Sequence, residues 1–162
     1  MTVNTSNLLF ERDVVKQLSQ KNAEPAWMLD FRLKALEKAS DLPLPKVEKT
    51  QIRLWNFTQF EPYTEQSVVS DYSQLPEMVR SFTGAAVDER NLVLQHNSSV
   101  IYTQLMPELA EKGVIFTDLH TALREHGDLV QKYFMTDAIQ TDEHRLTALH
   151  SALWSGGVFL YI

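Results

Sequence analysis

The chain contains no cysteine. A disulfide, a thiolate nucleophile and a cysteine-ligated metal or cluster site are therefore excluded for this stretch of protein. Glycine is scarce, at five residues, and no G-x-G-x-x-G or G-x-x-x-x-G-K-[ST] pattern occurs. The backbone cradle for phosphates is thus missing. No G-x-S-x-G occurs either, which removes the usual serine nucleophile elbow. Positive charge is the minority sign: 15 Lys and Arg against 21 Asp and Glu give a net charge of −6. There is no lysine- or arginine-rich run, so neither nucleic acid nor a membrane surface is an expected partner. No apolar run approaches the roughly 20 residues needed to span a bilayer. The opening "MTVNTSNLLFERDVVKQ" lacks the form of a signal peptide, so a cytoplasmic location is the default expectation. Internal repeats and low-complexity segments are absent as well.

What is present is ordinary globular material. Apolar residues make up 44% of the 162 residues, enough for one domain, or one plus a fragment of another. Residues 6–20 read as a first helix, with Ser6 able to cap it and Phe10, Val14 and Leu18 on one face. Residues 24–39 read as a second helix. Pro25 suits its start, Trp27, Phe31 and Ala35 form a stripe, and Arg32, Lys34, Glu37 and Lys38 are polar positions. Pro43 and Pro45 then stop the helix.

Between residues 50 and 90 the pattern is irregular. "TQIRLWNF" suits a short strand or extended segment anchored by Ile52, Leu54 and Trp55, "EPYTEQ" a loop, and "LPEMVRSF" a short helix begun by Pro76. Residues 91–104 carry a hairpin signature around "HNSS". With "GVIFTD" they suggest a three-stranded piece of sheet. Residues 118–135 read as one or two helices, capped by Asp118 and broken at Gly127, and residues 142–155 as a last helix capped by Thr141 or Asp142. Gly156 and Gly157 fit a left-handed helix C-cap. The aromatic residues Trp27, Phe31, Trp55, Phe57, Phe60 and Tyr63 fit a core better than a protein-contact surface.

The histidines do not assemble a site. His144 and His150 are six apart on one helix, as are His120 and His126; that spacing turns each pair about 120° apart around the helix axis, onto different faces that cannot share a metal through that helix alone. His150 lies on the stripe of Leu146 and Trp154 and reads as a packed core histidine, and His96 falls in the hairpin turn, where exposure is the default. The adjacent acids Asp88–Glu89 and Asp142–Glu143 read as solvated charge, since no neighbour would raise one carboxyl above the other. No catalytic, cofactor-binding or metal-ligating residue is assigned.

Two strings go further. "EPAWMLDFRLKALEKASDLPLPK" at 24–46 resembles the N-terminal helical stretch of the SufB/SufD family of iron–sulfur cluster assembly proteins. The residues that carry the likeness are Pro25, Trp27, Met28, Leu29, Phe31, Arg32, Lys34 and Ala35. "ALHSALWSGGVFLYI" at 148–162 is similar to the family's entry into its large β-helix, carried by Ala148, Leu149, Ala152, Gly156, Gly157, Phe159 and Tyr161. The prolines of "LPLPK" lean towards the SufD branch.

The resemblance implies an α+β fold. N-terminal helices would be followed by a small mixed sheet and further helices, and the chain would end in the first strand of a truncated β-helix. The corresponding divisions are 1–45, a helical segment; 46–155, a mixed α/β region; and 156–162, the start of the β-helix. The apolar run Val158–Ile162 would then be a strand missing its neighbours, prone to pair with a second copy. The resemblance further implies a non-catalytic scaffold region that works in partner contact. In the full-length protein the partners would be a SufB-like scaffold subunit and a SufC-like ATPase. It would hold no cofactor within this fragment, because the family's cluster-building positions lie in and beyond the β-helix. Two other readings remain open from the residues alone: a small histidine/carboxylate hydrolase in which His120 or His126 meets Asp118 or another acid in a pocket, and a helix-binding adaptor using Trp27, Trp55 and their neighbours.

Overall fold

A computed structural model describes residues 12–57, 66–84 and 90–162. Ser6, Phe10, Phe60, Tyr63, the Asp88–Glu89 pair and nearly all of "EPYTEQ" lie outside the described residues. The fold is α+β, and the described residues divide into two compact units, one formed by 12–57 with 126–154, the other by 66–84, 90–125 and 155–162.

The first unit is helical. Helix α1 spans Arg12–Lys21 and α2 spans Ala26–Asp41. Val15 and Ser19 are its buried positions in α1, so the inward face is centred one residue beyond the Val14–Leu18 stripe. Pro25 occupies the N-cap of α2, where its missing N–H costs nothing. The helix stops at Leu42, whose extended backbone leads into Pro43. Helix α6 spans Gly127–Tyr133 and α7 spans Arg145–Leu153. Val15, Ala35, Leu36 and Ala152 form the core, with Leu29, Leu33 and Leu153 packed against it. Small alanines at facing positions let α2 and α7 approach closely. Residues Ile52–Leu54 form a single 3-10 turn in place of a strand. Only Ile52 is an anchor there; Leu54 and Trp55 point to solvent, Trp55 beside Phe57 at 6.2 Å between ring centroids.

The second unit contains the strands. Strand β1 (Leu92–His96) pairs antiparallel with β2 (Ser99–Gln104) through the two-residue turn Asn97–Ser98, with a register shift between Leu94 and Gln95. Asn97 takes a left-handed conformation, φ 54°, as such tight hairpins require. Leu75, Ile101 and Tyr102 form this unit's core, flanked by Val69, Tyr72, Val79, Leu92 and Leu94. Helix α3 (Glu77–Thr83) follows Pro76 as the sequence suggests, and α4 is one turn, Pro107–Ala110.

Strand β3 (Ile115–Asp118) does not join the hairpin to make three strands. It pairs antiparallel with β4 (Val158–Tyr161), so the described strands form two separate two-stranded sheets. Helix α5 (Leu119–Glu125) follows directly, capped by Asp118, whose Oδ1 accepts from the Thr121 N–H at 3.0 Å.

Candidate functional site: an arginine lock and an open strand

Arg32 was expected at a polar position, yet it is completely buried. The helical repeat explains the place: Met28, Arg32, Ala35 and Ala39 lie at steps of four, three and four along α2, and all are buried. The chemistry that makes the place tolerable comes from elsewhere in the chain. Glu24, just before α2, receives the guanidinium through two bonds, Nε to Oε2 at 2.8 Å and Nη2 to Oε1 at 2.6 Å. Both side chains are wholly shielded from solvent. The remaining nitrogen, Nη1, donates to the carbonyls of Ala152 and Trp154, each at 2.9 Å. The guanidinium carbon also lies 4.2 Å from the centre of the Trp154 ring. A planar, forked cation suits this combination of carboxylate, carbonyl and aromatic partners; a lysine does not.

The carbonyls that Arg32 takes are orphan acceptors at the end of α7. The opposite end of the helix pair repeats the device in reverse. Arg145, the first residue of α7, donates from Nε to the carbonyls of Ala39 (3.2 Å) and Leu42 (3.0 Å), where α2 ends, and its own N–H donates to the Pro43 carbonyl at 2.8 Å. Each helix therefore supplies an arginine that caps the C-terminus of the other. Phe134 closes the side of this pair, 5.5 Å from Phe31 and 5.4 Å from Trp154 between ring centroids. Trp27 and Phe31 are partly buried, as a core role requires.

The second motif string is divided between the two units. Its helical half, Ala148–Trp154, works in the arginine lock, and its glycine half works in the sheet unit. Gly156 and Gly157 are not a left-handed cap: neither has a positive φ, and the residue that ends α7 is Trp154, at φ −52° and ψ 140°. Gly156 serves close approach instead. A β-carbon there would lie 2.5 Å from the Ser98 carbonyl oxygen in the hairpin turn. Beyond the glycines, β4 hydrogen-bonds to β3 with Ile115 opposite Tyr161 and Asp118 opposite Val158. Among the described residues β3 is its only ladder partner. Val158, Leu160, Tyr161 and Ile162 are exposed, Ile162 to 91%. Among the described residues this apolar strand is paired along one edge only, and such strands are the elements most prone to pair with further strand.

Asp118 caps α5, His120 Nε2 lies 3.1 Å from the Ser155 carbonyl, and His126 is the N-cap residue of α6. His150 is exposed, because α7 turns its alanines inward and leaves that position outside. His96 is exposed as expected, although it closes β1 while Asn97 and Ser98 make the turn. The cap of α7 is His144, not Thr141 or Asp142. Asp142 is drawn away by Lys38, at 2.8 Å, and that ammonium holds its carboxyl below the usual aspartate range. No group of three or more histidine or acidic side chains is placed to hold a metal ion, and no helix is long and apolar enough to cross a membrane, both among the described residues. Sequence reasoning missed Arg32 and Arg145; the buried face of α2 could have exposed the first, while nothing local marks the second.

Comparison with known proteins gives these contacts a context. The family model for the SufBD protein N-terminal region matches residues 12–162. The iron–sulfur cluster assembly protein SufD of Bacillus subtilis is 45% identical over 163 residues, which cover 100% of this chain and 37% of that protein. An iron–sulfur cluster assembly SufBD family protein of Staphylococcus haemolyticus is 35% identical over 159 residues, 93% of this chain and 34% of its own length. One from Staphylococcus aureus is 33% identical over the same span. The chain thus covers 34–37% of the length of these relatives. The arginine lock joins the two stretches whose residues carry the family pattern, and the match takes in both: the chain belongs to the SufB/SufD family and corresponds to its N-terminal region.

Proposed function

We propose that this chain is the N-terminal region of a SufD-type scaffold subunit for iron–sulfur cluster assembly, and that it acts by partner contact without performing bond chemistry of its own. The observation that carries the reading is the alignment of the whole chain with a SufD protein at 45% identity. The local chemistry agrees with it. Arg32, one of the residues that carry the family pattern, is engaged in joining α2 to α7, and the chain has no cysteine with which to ligate a cluster. In this reading the partners are a SufB-like scaffold subunit and a SufC-like ATPase, met in the cytoplasm. Cofactor and cluster positions lie outside this stretch.

Strand β4 is the proposed join to a β-helix, and the edge away from β3 is where the next strand adds. The isolated chain then pairs through that edge with a second copy. Sedimentation at rising concentration checks this: dimer is expected for the unaltered chain, and Leu160→Lys, which puts a charge on the exposed edge strand, is expected to weaken it at least tenfold. A monomer at every concentration counts against the edge. The partner reading is tested separately, by binding of the purified chain to purified SufB-like, SufC-like and sulfur-transfer proteins. Binding to none of them sinks that reading.

A further inference from the structure

Residues 46–57, in the helical unit, form two consecutive turns that hold apolar side chains out in water. The Thr50 N–H donates to the Val47 carbonyl at 3.3 Å, with Lys49 in a left-handed conformation, φ 59°, and this closes the first turn. The Trp55 N–H donates to the Ile52 carbonyl at 2.9 Å and closes the second. Ile52 is buried and anchors the loop, whereas Leu54 is 75% exposed, Trp55 is 60% exposed, and Val47 faces water as well. A single exposed leucine needs no explanation; several large apolar side chains on one short loop do.

The charge of this loop runs against that of the chain. Lys46, Lys49 and Arg53 supply three of the 15 basic residues, and Glu48 is the one acid here of the 21 in the sequence. All four are exposed. Among the described residues none of the three cations is held in an ion pair. A positive, apolar surface therefore stands on an otherwise acidic protein.

We propose that the 46–57 loop is a docking surface for an acidic, apolar segment of a different protein. This rests on the partner-contact reading above and adds to it the surface and the chemistry of its occupant. Apolar side chains of the partner cover Leu54 and Trp55, tryptophan being among the residue types that dominate binding energy at protein interfaces. Carboxylates of the partner face Lys46, Lys49 and Arg53, which steers its approach and fixes its register. Other occupants fit less well. In a symmetric pair of copies the same patch meets itself, so cations would face cations. Anionic membranes are held by clusters of about four to eight basic residues, more than this loop offers. Nucleic acid, a dense line of phosphates, would be repelled by the acidic remainder of the chain.

The test measures binding of the 162-residue chain to purified SufB-like, SufC-like and sulfur-transfer proteins. The variants are Trp55→Ser, Leu54→Ser and the triple reversal Lys46→Glu/Lys49→Glu/Arg53→Glu, with Lys34→Glu/Lys112→Glu as a charge control elsewhere on the surface. Every substituted side chain is exposed, so the variants should unfold in urea as the parent does. Trp55→Ser and the triple reversal should each weaken binding by about tenfold or more, and Leu54→Ser by less. Raising salt from about 50 to about 300 mM should weaken the parent and leave the triple reversal unmoved. The control should stay within about twofold of the parent. A partner that binds parent and variants alike overturns the docking surface and leaves the partner-contact reading standing. Binding that Trp55→Ser weakens and the triple reversal does not overturns the acidic occupant. So does a dimer, or binding to phosphatidylglycerol vesicles, that Trp55→Ser abolishes. A parent that binds none of the proteins overturns both the surface and the reading on which it rests.

Discussion

The two units reach order by different means. In the helical unit the decisive contacts are polar and buried: a paired guanidinium, a carboxylate and four helix-end carbonyls, set among small apolar side chains. In the sheet unit they are steric. A glycine passes a hairpin turn at a distance no side chain permits, and a modest apolar cluster seats Tyr72 against Tyr102 at 5.8 Å. A buried ion pair is weak evidence of net stability, since desolvation offsets much of its attraction. Its value is positional: only one register of α2 against α7 brings Arg32 to the Ala152 and Trp154 carbonyls. A steric fit has no such directional penalty, but it fails abruptly when an atom is added.

The largest expected effect follows from removing one partner of the ion pair. Arg32→Met takes the guanidinium away from the buried Glu24 carboxylate and should cost about 3–5 kcal/mol in urea unfolding. The double variant Arg32→Met/Glu24→Leu removes that buried carboxylate as well and should recover most of that loss. It should not recover all of it, because the two α7 carbonyls lose their donor, worth roughly 1–3 kcal/mol. Equal stability of the single and double variants would mean that the carboxylate is not desolvated as described. Hydrogen exchange sharpens the contrast between units. Protection should fall first at amides of α2 and α7, while amides of Ile101 and Tyr102, seated in a core of their own, retain theirs longer.

The steric side of the comparison is tested at the paired glycines. Gly156→Ala forces a methyl onto the Ser98 carbonyl, a backbone atom that cannot swing away, and should cost about 1–3 kcal/mol. That exceeds the gain of about 0.4–1 kcal/mol from a stiffer unfolded chain. At Gly157 the nearest neighbour is the flexible end of Leu119, 3.4 Å from the added carbon. Gly157→Ala should therefore be neutral within about 0.5 kcal/mol. If both variants behave alike, the close approach at Gly156 is not what the glycine pair serves.

These contrasts also explain what could be read from the amino-acid order. Helix α2 was legible from Pro25 and its apolar repeat, the hairpin from its β-rich arms, and the cap of α5 from Asp118; the break between α5 and α6 falls at His126, one residue before Gly127, which opens α6. Each depends on neighbours within a few residues. The pairing of β3 with β4 was not legible, because some forty positions separate Asp118 from Val158 and no local signal selects that partner over the nearby hairpin. Arg32 was misplaced because its residue type outweighed its position in the repeat. The glycine pair was misjudged because glycine serves both left-handed caps and close contacts, and only the location of Ser98 decides between them. The cap of α7 was misassigned because local preference favours Asp142, and the competitor that removes it, Lys38, lies on another helix.

That competition supplies the smallest and most specific prediction. Lys38 and Asp142 are both exposed, so salt and solvent screen their attraction and stability should barely change when it is lost. The carboxyl itself should report it. Hydrogen bonding from Lys38, then its charge, lowers the Asp142 titration below the ordinary aspartate range. A carboxyl lowered in the folded state stabilises that state above its unfolded titration, and the contribution is lost as pH falls through the folded one. Lys38→Met should therefore return the Asp142 midpoint upward in a carbon-13 NMR titration, with little change in unfolding.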